Sequence, residues 1–329
     1  MSEMIRPGWR RLNQLRQGAA WLLCAAFFLM VPLEFSLLDW QRTPHGTWLI
    51  APVENLSAGQ MAVLAVWGII LMAGSIVFVL CGCLLRFSQE RMLLGSELEV
   101  RDIVYFTAWV QTFQLALPLL LTLLPEQGET EALSLLAPYF PFMWICLVSI
   151  FLLRGKWRQI DCVSVDAAFW VKVPLVIVGL YLFFVLVVDR HVTEWFADLC
   201  SLDLSSWREE SISRGIEQAG QSHPVLLLLQ WITIGFIGPI AEEILFRGYL
   251  QGWLTKHFGA VAGVGASAML FALFHIDVPL FPALFLLGVV MGWLRVWTKT
   301  LWAPIMFHCL NNAVATWVDI SGSISWGYF

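Results

Sequence analysis

Apolar runs of about 20 residues recur from one end of this 329-residue chain to the other, and that is the length a helix needs to cross the hydrocarbon core of a bilayer. A backbone surrounded by lipid must satisfy its own hydrogen bonds, so runs of this kind fold as helices and not as open strands or loops. Charged residues make up 13% of the chain and hydrophobic residues 59%, which excludes an ordinary water-soluble enzyme. The expected fold class is all-α: a polytopic membrane protein of about eight to nine transmembrane helices.

Nine runs carry this expectation: Gly18–Leu38, Met61–Leu85, Ile103–Leu124, Leu133–Leu153, Ala168–Val188, Pro224–Tyr249, Phe258–His275, Pro279–Val296 and Leu301–Val318. Basic residues near span ends are held on the cytoplasmic side. With the N-terminus inside, that side collects Arg6, Arg10, Arg11, Arg16, Arg86, Arg91, Arg101, Arg154, Lys156, Arg158, Lys256, Arg295 and Lys299. The outer side keeps only Arg42, Arg190, Arg208 and Arg214. The expected location is thus a plasma or inner membrane with a cytoplasmic N-terminus. The basic start also suits a signal peptide, but its apolar run is long and no clean small-residue cleavage site follows.

Polarity divides the chain into an N-terminal transmembrane region of about five spans (1–190), an extramembrane polar loop (191–223), a core (224–319) and a short tail (320–329). In the loop, Ser205-Ser206-Trp207-Arg208-Glu209-Glu210 reads as a helix start with Ser206 as N-cap and an acidic first turn, an interfacial helix roofing the later spans. The seven cysteines show no zinc-like pairing and read as small apolar filler, and the 18 tryptophans suit the membrane boundary. A net charge of -5 gives no reason to expect nucleic-acid binding. Gly259-x-x-x-Gly263 and Gly288-x-x-x-Gly292 allow close helix approach, and Gly235, Gly238 and Pro239 predict a local kink.

The chemistry gathers just after that kink. Glu242, Glu243 and Arg247 stand in an otherwise apolar stretch, where each charge costs about 2.5–3.5 kcal/mol and needs a partner, a wet cavity or a function. Glu243 and Arg247 are four residues apart with the acid first, the favoured ion-pair order on a helix. Glu242, turned about 100° away, keeps its carboxylate free and is the natural general base. Counting helical rise from the turn near His257 brings His275 within about 5 Å of the depth of Glu242. His308 and Asn312 share one face of the last span and suit an oxyanion hole, though the same count leaves His308 shallow.

Glu-Glu-x-x-x-Arg at 242–247, Phe271-x-x-x-His275 and His308-x-x-x-Asn312 on successive helices resemble the CAAX-type prenyl endopeptidase and bacteriocin-processing (CPBP) family. The resemblance implies an intramembrane endopeptidase with an intramembrane active-site cavity. In it Glu242, helped by His275, activates water, Glu243 and Arg247 organise the site, and His308 and Asn312 stabilise the oxyanion. It leaves the cofactor open. The chain lacks H-E-x-x-H, yet Glu242, His275 and His308 are candidate ligands for a divalent metal such as zinc; direct water activation without a metal is the favoured expectation. The expected partners are the lipid bilayer and a membrane-anchored or membrane-associated peptide or protein substrate, through CAAX-type, leader-peptide or sorting-tail processing. Two other readings stand beside proteolysis. One is a non-catalytic immunity or scaffold protein that binds through the same cluster. The other is a transporter, for which no inverted pair of broken helices is visible.

Overall fold

The computed structural model describes residues 7–86, 98–121, 131–152, 160 and 165–322. Arg6, Arg91, Arg154, Lys156 and Arg158, the last residues of the expected third span and residues 323–329 of the tail lie outside this set.

Helices α1 (Pro7–Phe35), α2 (Ala58–Arg86) and α3 (Val100–Leu121) come first, with a hairpin of β1 (Leu38–Arg42) and β2 (Trp48–Pro52) between α1 and α2. Then follow α4 (Glu131–Leu136), α5 (Phe140–Leu152), α6 (Phe169–Phe183), α7 (Arg190–Cys200), α8 (Trp207–Ser222), α9 (Pro224–Ile232), α10 (Gly238–Glu243) and α11 (Gln251–Phe258). The last three are α12 (Ala260–Phe274), α13 (Phe281–Thr298) and α14 (Trp302–Ser321). This is an all-α polytopic membrane protein. Among the described residues six helices are long and apolar enough to cross a bilayer: Gly8–Phe35, Ala58–Leu85, Leu133–Ile150, Phe169–Cys200, Pro224–Phe258 and Phe281–Thr298. The other three expected runs form α3, the shorter apolar α12 and α14, which are not among those six helices.

By contact the chain forms two compact units, one of residues 1–34 and 54–128 and the other of residues 35–53 and 129–329. In the first, Ala20, Leu23, Phe78, Val104 and Ala108 are buried together, and the Arg16 guanidinium lies 5.1 Å from the Phe78 ring and 5.3 Å from that of Tyr105. This half-buried cation is held by the negative faces of those rings.

The second unit holds the hairpin and every motif residue. The hairpin, which the apolar runs did not foresee, pairs Leu38 with Pro52 through Arg42 with Trp48, and Ile50 packs with Ala197 of α7 and with Leu202 just after it. Backbone bonds from Trp48 to Ser201 and from Asp203 to Trp48 tie it to the chain entering α8. The polar stretch expected as a capped helix is one: the Ser206 side chain accepts from Glu209 N at the start of α8.

Residues Pro224–Phe258 form one long helix with two π turns, Thr233–Ile237 and Ile244–Leu250. The first stands where the sequence predicts a kink. Pro239 has no N–H to give the preceding turn, and the backbone adapts by widening, with Gly238 N bonding Thr233 O. Close packing then fixes α11, α12 and α13. A Cβ on Gly288 would meet Ala268 Cα at 3.0 Å, and one on Gly292 would meet Val264 Cγ1 at 2.8 Å. Gly263 likewise admits Thr255 Cα at 2.7 Å. Gly259 does something else: it holds φ +85° in the turn between α11 and α12 with open space around it.

Candidate active site

Glu242 and Glu243 end α10, and the second π turn begins at the next residue. The two carboxylates meet different surroundings. Glu243 is fully buried, whereas the Glu242 side chain keeps 15% of its surface exposed. Arg247, also fully buried, gives Nη1 to Glu243 Oε1 at 2.8 Å and Nη2 to the Gly288 carbonyl at 3.2 Å. Its Cζ lies 4.4 Å from the Phe271 ring centroid. A buried charge is tolerable only when paired and bonded in this way. The missing side chain at Gly288 lets the α13 backbone approach Arg247.

His308, on α14, reaches the same carboxylate. Its Nδ1 is 2.9 Å from Glu243 Oε1, and its Nε2 is 3.8 Å from Glu242 Oε2. The depth count from Thr298 left His308 shallow because it treated the helices as equal upright rods, whereas the helix carrying Glu242 is broken by two π turns. A carboxylate only accepts, so Nδ1 carries a proton, and Nε2 is turned toward Glu242.

His275 follows α12, where its Nδ1 meets the Phe271 carbonyl at 2.7 Å and its ring lies 4.5 Å from that of Phe271. A carbonyl likewise fixes the proton on Nδ1, leaving Nε2 as an acceptor. Phe271 thus touches Arg247, His275 and His308 at once, its centroid 5.7 Å from that of His308. Asn312 gives Nδ2 to the Ile234 carbonyl at 3.4 Å and receives Asn311 Nδ2 at 3.3 Å.

Glu242, His275, His308 and Asn312 line one cavity of about 400 Å³, while Glu243 and Arg247 stand behind its wall. Its other walls come from α8, through Arg208 and Glu209, from Asp277 after α12, and from Leu284 and Leu287 of α13. The reading of the sequence gave α8 a roofing position but no part in the site. The reach of Arg208 and Glu209 depends on the tertiary placement of α8, and an acidic first turn is otherwise only a capping signal. α8 is anchored by Ser206 Oγ, which donates to Asp277, and by Ser213 Oγ, 3.0 Å from Asp319 Oδ2. Burial, with the carboxylates of Asp277, Asp189 and Asp319 adding to it, pushes Glu209 up to about 8 against the pull of Arg208.

The candidate zinc ligands do not gather as a set. Among the described residues no three His, Cys, Asp or Glu side chains are arranged to hold an ion, and the contact of His308 Nδ1 with Glu243 leaves Nε2 as the ring atom open to the cavity. What the site offers is a carboxylate and two imidazoles facing one cavity, backed by a neutralised ion pair.

Residues 224–314 match the family model described as type II CAAX prenyl endopeptidase Rce1-like. The chain is similar to the membrane-embedded CAAX protease MroQ of Staphylococcus aureus, at 36% identity over 88 residues that cover 24% of this chain and 34% of that protein. It is also similar to the putative membrane peptidase YdiL of Bacillus subtilis, at 28% identity over 105 residues, 32% of this chain and 41% of that one. The chain thus covers about a third to two fifths of the length of these relatives. No solved structure matches it. The family-model match takes in all six motif residues and leaves α8 outside its segment.

Proposed function

We propose, from the match of residues 224–314 to the type II CAAX prenyl endopeptidase Rce1-like model, that this chain is an intramembrane endopeptidase. On this reading it cuts a membrane-associated peptide or protein by CAAX-type, leader-peptide or sorting-tail processing. It sits in a plasma or inner membrane with its N-terminus cytoplasmic, as the distribution of Lys and Arg favours.

The observation that carries the proposal is the unequal standing of two adjacent carboxylates. Glu243 is spent on Arg247 and His308, and Glu242 faces the cavity beside the open Nε2 of His275 and His308. A pure binding cluster has no need of a second acid that faces the cavity beside two imidazoles. Glu242 takes a proton from water as the water oxygen attacks the scissile carbonyl carbon, and His275 Nε2 accepts the second O–H and fixes its direction. The tetrahedral intermediate collapses as Glu242 returns the proton to the amide nitrogen. The C–N bond breaks, and a carboxylate and an amine leave. Glu243 and Arg247 transfer no proton in this scheme and hold the floor of the site.

Quantitative comparison of membrane-anchored proteins in cells carrying the wild type or Glu242→Gln tests the reading. Fragments should appear only with the wild type, at equal expression of the two chains. A cellular phenotype that survives replacement of Glu242 and His275 together would instead place the chain among non-catalytic immunity or scaffold proteins.

A further inference from the structure

Resting on the proteolytic reading, and on the oxyanion role that the resemblance implies for Asn312, we propose that Pro239 is a positioning residue: by withholding an N–H it leaves the Ile234 carbonyl free to hold the Asn312 amide in place at the cavity.

In a regular α-helix the Ile234 carbonyl would receive the N–H of Gly238, and in a π turn that of the residue after it. Neither reaches it here. Gly238 N is bonded to Thr233 O, and the next residue is Pro239, which has no N–H. A carbonyl that loses its helical donor inside a packed bundle needs a partner from elsewhere. That partner is Asn312 on α14, whose Nδ2 lies 3.4 Å away.

The Asn312 amide is oriented from both ends. Nδ2 gives one N–H to Ile234 O, and Oδ1 accepts from Asn311 Nδ2 at 3.3 Å, so turning the amide over would lose both bonds. An asparagine amino group carries two N–H donors, and the second takes no part in either contact. Asn312 and Ile234 both line the cavity that holds Glu242. An oxyanion is stabilised most by a donor fixed in place before the charge develops.

Backbone packing sets the gap between carbonyl and amide. Trp231 Nε1 donates to the Ala313 carbonyl at 3.1 Å, and Cys309 Sγ lies 3.9 Å from the Phe236 carbonyl. A Cβ on Gly235 would meet Ala313 Cα at 3.1 Å. The glycine thus lets α14 close on the π turn, and the proline supplies the carbonyl that it closes on.

The test uses the full chain in proteoliposomes with a lipid-anchored quenched fluorogenic peptide, and the analogue of that peptide with a phosphinate in place of the scissile amide. Pro239→Ala restores an N–H that competes for the Ile234 carbonyl, and it should fold, because alanine favours a helix where proline opposes it. Its kcat is expected to fall by about tenfold to a hundredfold with KM within about threefold, the signature of a misplaced transition-state group. Asn312→Ala should lower kcat by about a hundredfold or more. The two losses should not add: in the Asn312→Ala background, Pro239→Ala should change kcat by less than about twofold. Phosphinate affinity should follow kcat/KM through the whole cycle. Gly235→Ala, whose Cβ would press on Ala313, parts the same carbonyl and amide without touching Pro239; it should repeat the pattern, and it takes the place of Pro239→Ala if that variant does not fold. Unchanged kcat in Pro239→Ala would overturn the proposal. So would losses that add in full, which would mean that the proline acts on Glu242, three residues further along its own helix, and not through the amide. Either result beside cleavage that depends on Glu242 overturns this inference alone, whereas absence of any Glu242-dependent cleavage overturns the proteolytic reading beneath it.

Discussion

His308 Nδ1 and Arg247 Nη1 converge on one oxygen, Glu243 Oε1, at 2.9 and 2.8 Å, while Glu243 Oε2 receives no hydrogen bond among the described residues. One carboxylate thereby joins the two flanks of the site, the helix that bears the base and α14. The Nδ1 proton of His308 is directed away from the cavity by the same contact.

This junction predicts strong non-additivity. Glu243→Ala leaves a fully buried guanidinium without its counter-charge, and removing one partner of such a pair costs about 3–5 kcal/mol. Arg247→Met strands the carboxylate in the same way. The double variant Glu243→Leu/Arg247→Met removes both charges and should be more stable than either single one. Unfolding midpoints in detergent measure this, and simple addition of the two losses would show that the pair is not a unit.

How far the site was legible depends on the range of the interaction. The Glu243–Arg247 pair follows from a four-residue spacing on one helix, and the Ser206 cap from four consecutive residues, so both could be read from the chain alone. His308 could not be placed by counting rise, because its depth depends on how α14 packs against a helix interrupted by π turns. Glycine spacing was half informative. Gly288, Gly292 and Gly263 do admit close neighbours, but Gly259 serves a positive-φ turn that the same pattern cannot distinguish. Arg208 and Glu209 were invisible as site residues, since no periodicity within α8 says what lies beneath it. The hairpin of β1 and β2 was missed for a similar reason: its short strands are stabilised by the segment after α7, far along the chain.

The packing behind the site predicts opposite outcomes for two glycines of α12. A Cβ on Gly263 would stand 2.7 Å from both Cα and N of Thr255, backbone atoms that cannot swing aside. Gly263→Ala should cost about 1–3 kcal/mol or more through overpacking, and should loosen the turn that sets Glu242 against His275. Gly265 has nothing within 4 Å, so Gly265→Ala should be neutral or stabilise by up to about 1 kcal/mol through helix propensity. Parallel thermal-unfolding curves of the two variants decide the matter; equal midpoints would contradict the close approach of α11 and α12.

Glu209 predicts a pH dependence of stability whose sign follows from its burial. Its carboxyl is raised from 4.5 to about 8, so between those values the folded chain holds a proton that the unfolded chain has released. Stability that depends on this group is complete below about pH 4.5, declines as pH rises, and is lost once pH passes about 8. Glu209→Gln, which cannot ionise, should therefore match the wild type at the acid end and unfold at a higher temperature than it near the alkaline end. The gain should come with no loss of cap, because Ser206 and not Glu209 supplies the side-chain acceptor at the start of α8. Superimposable curves of melting temperature against pH for the two proteins would mean that Glu209 ionises as a solvated carboxyl does, and that the roof of the cavity is wet.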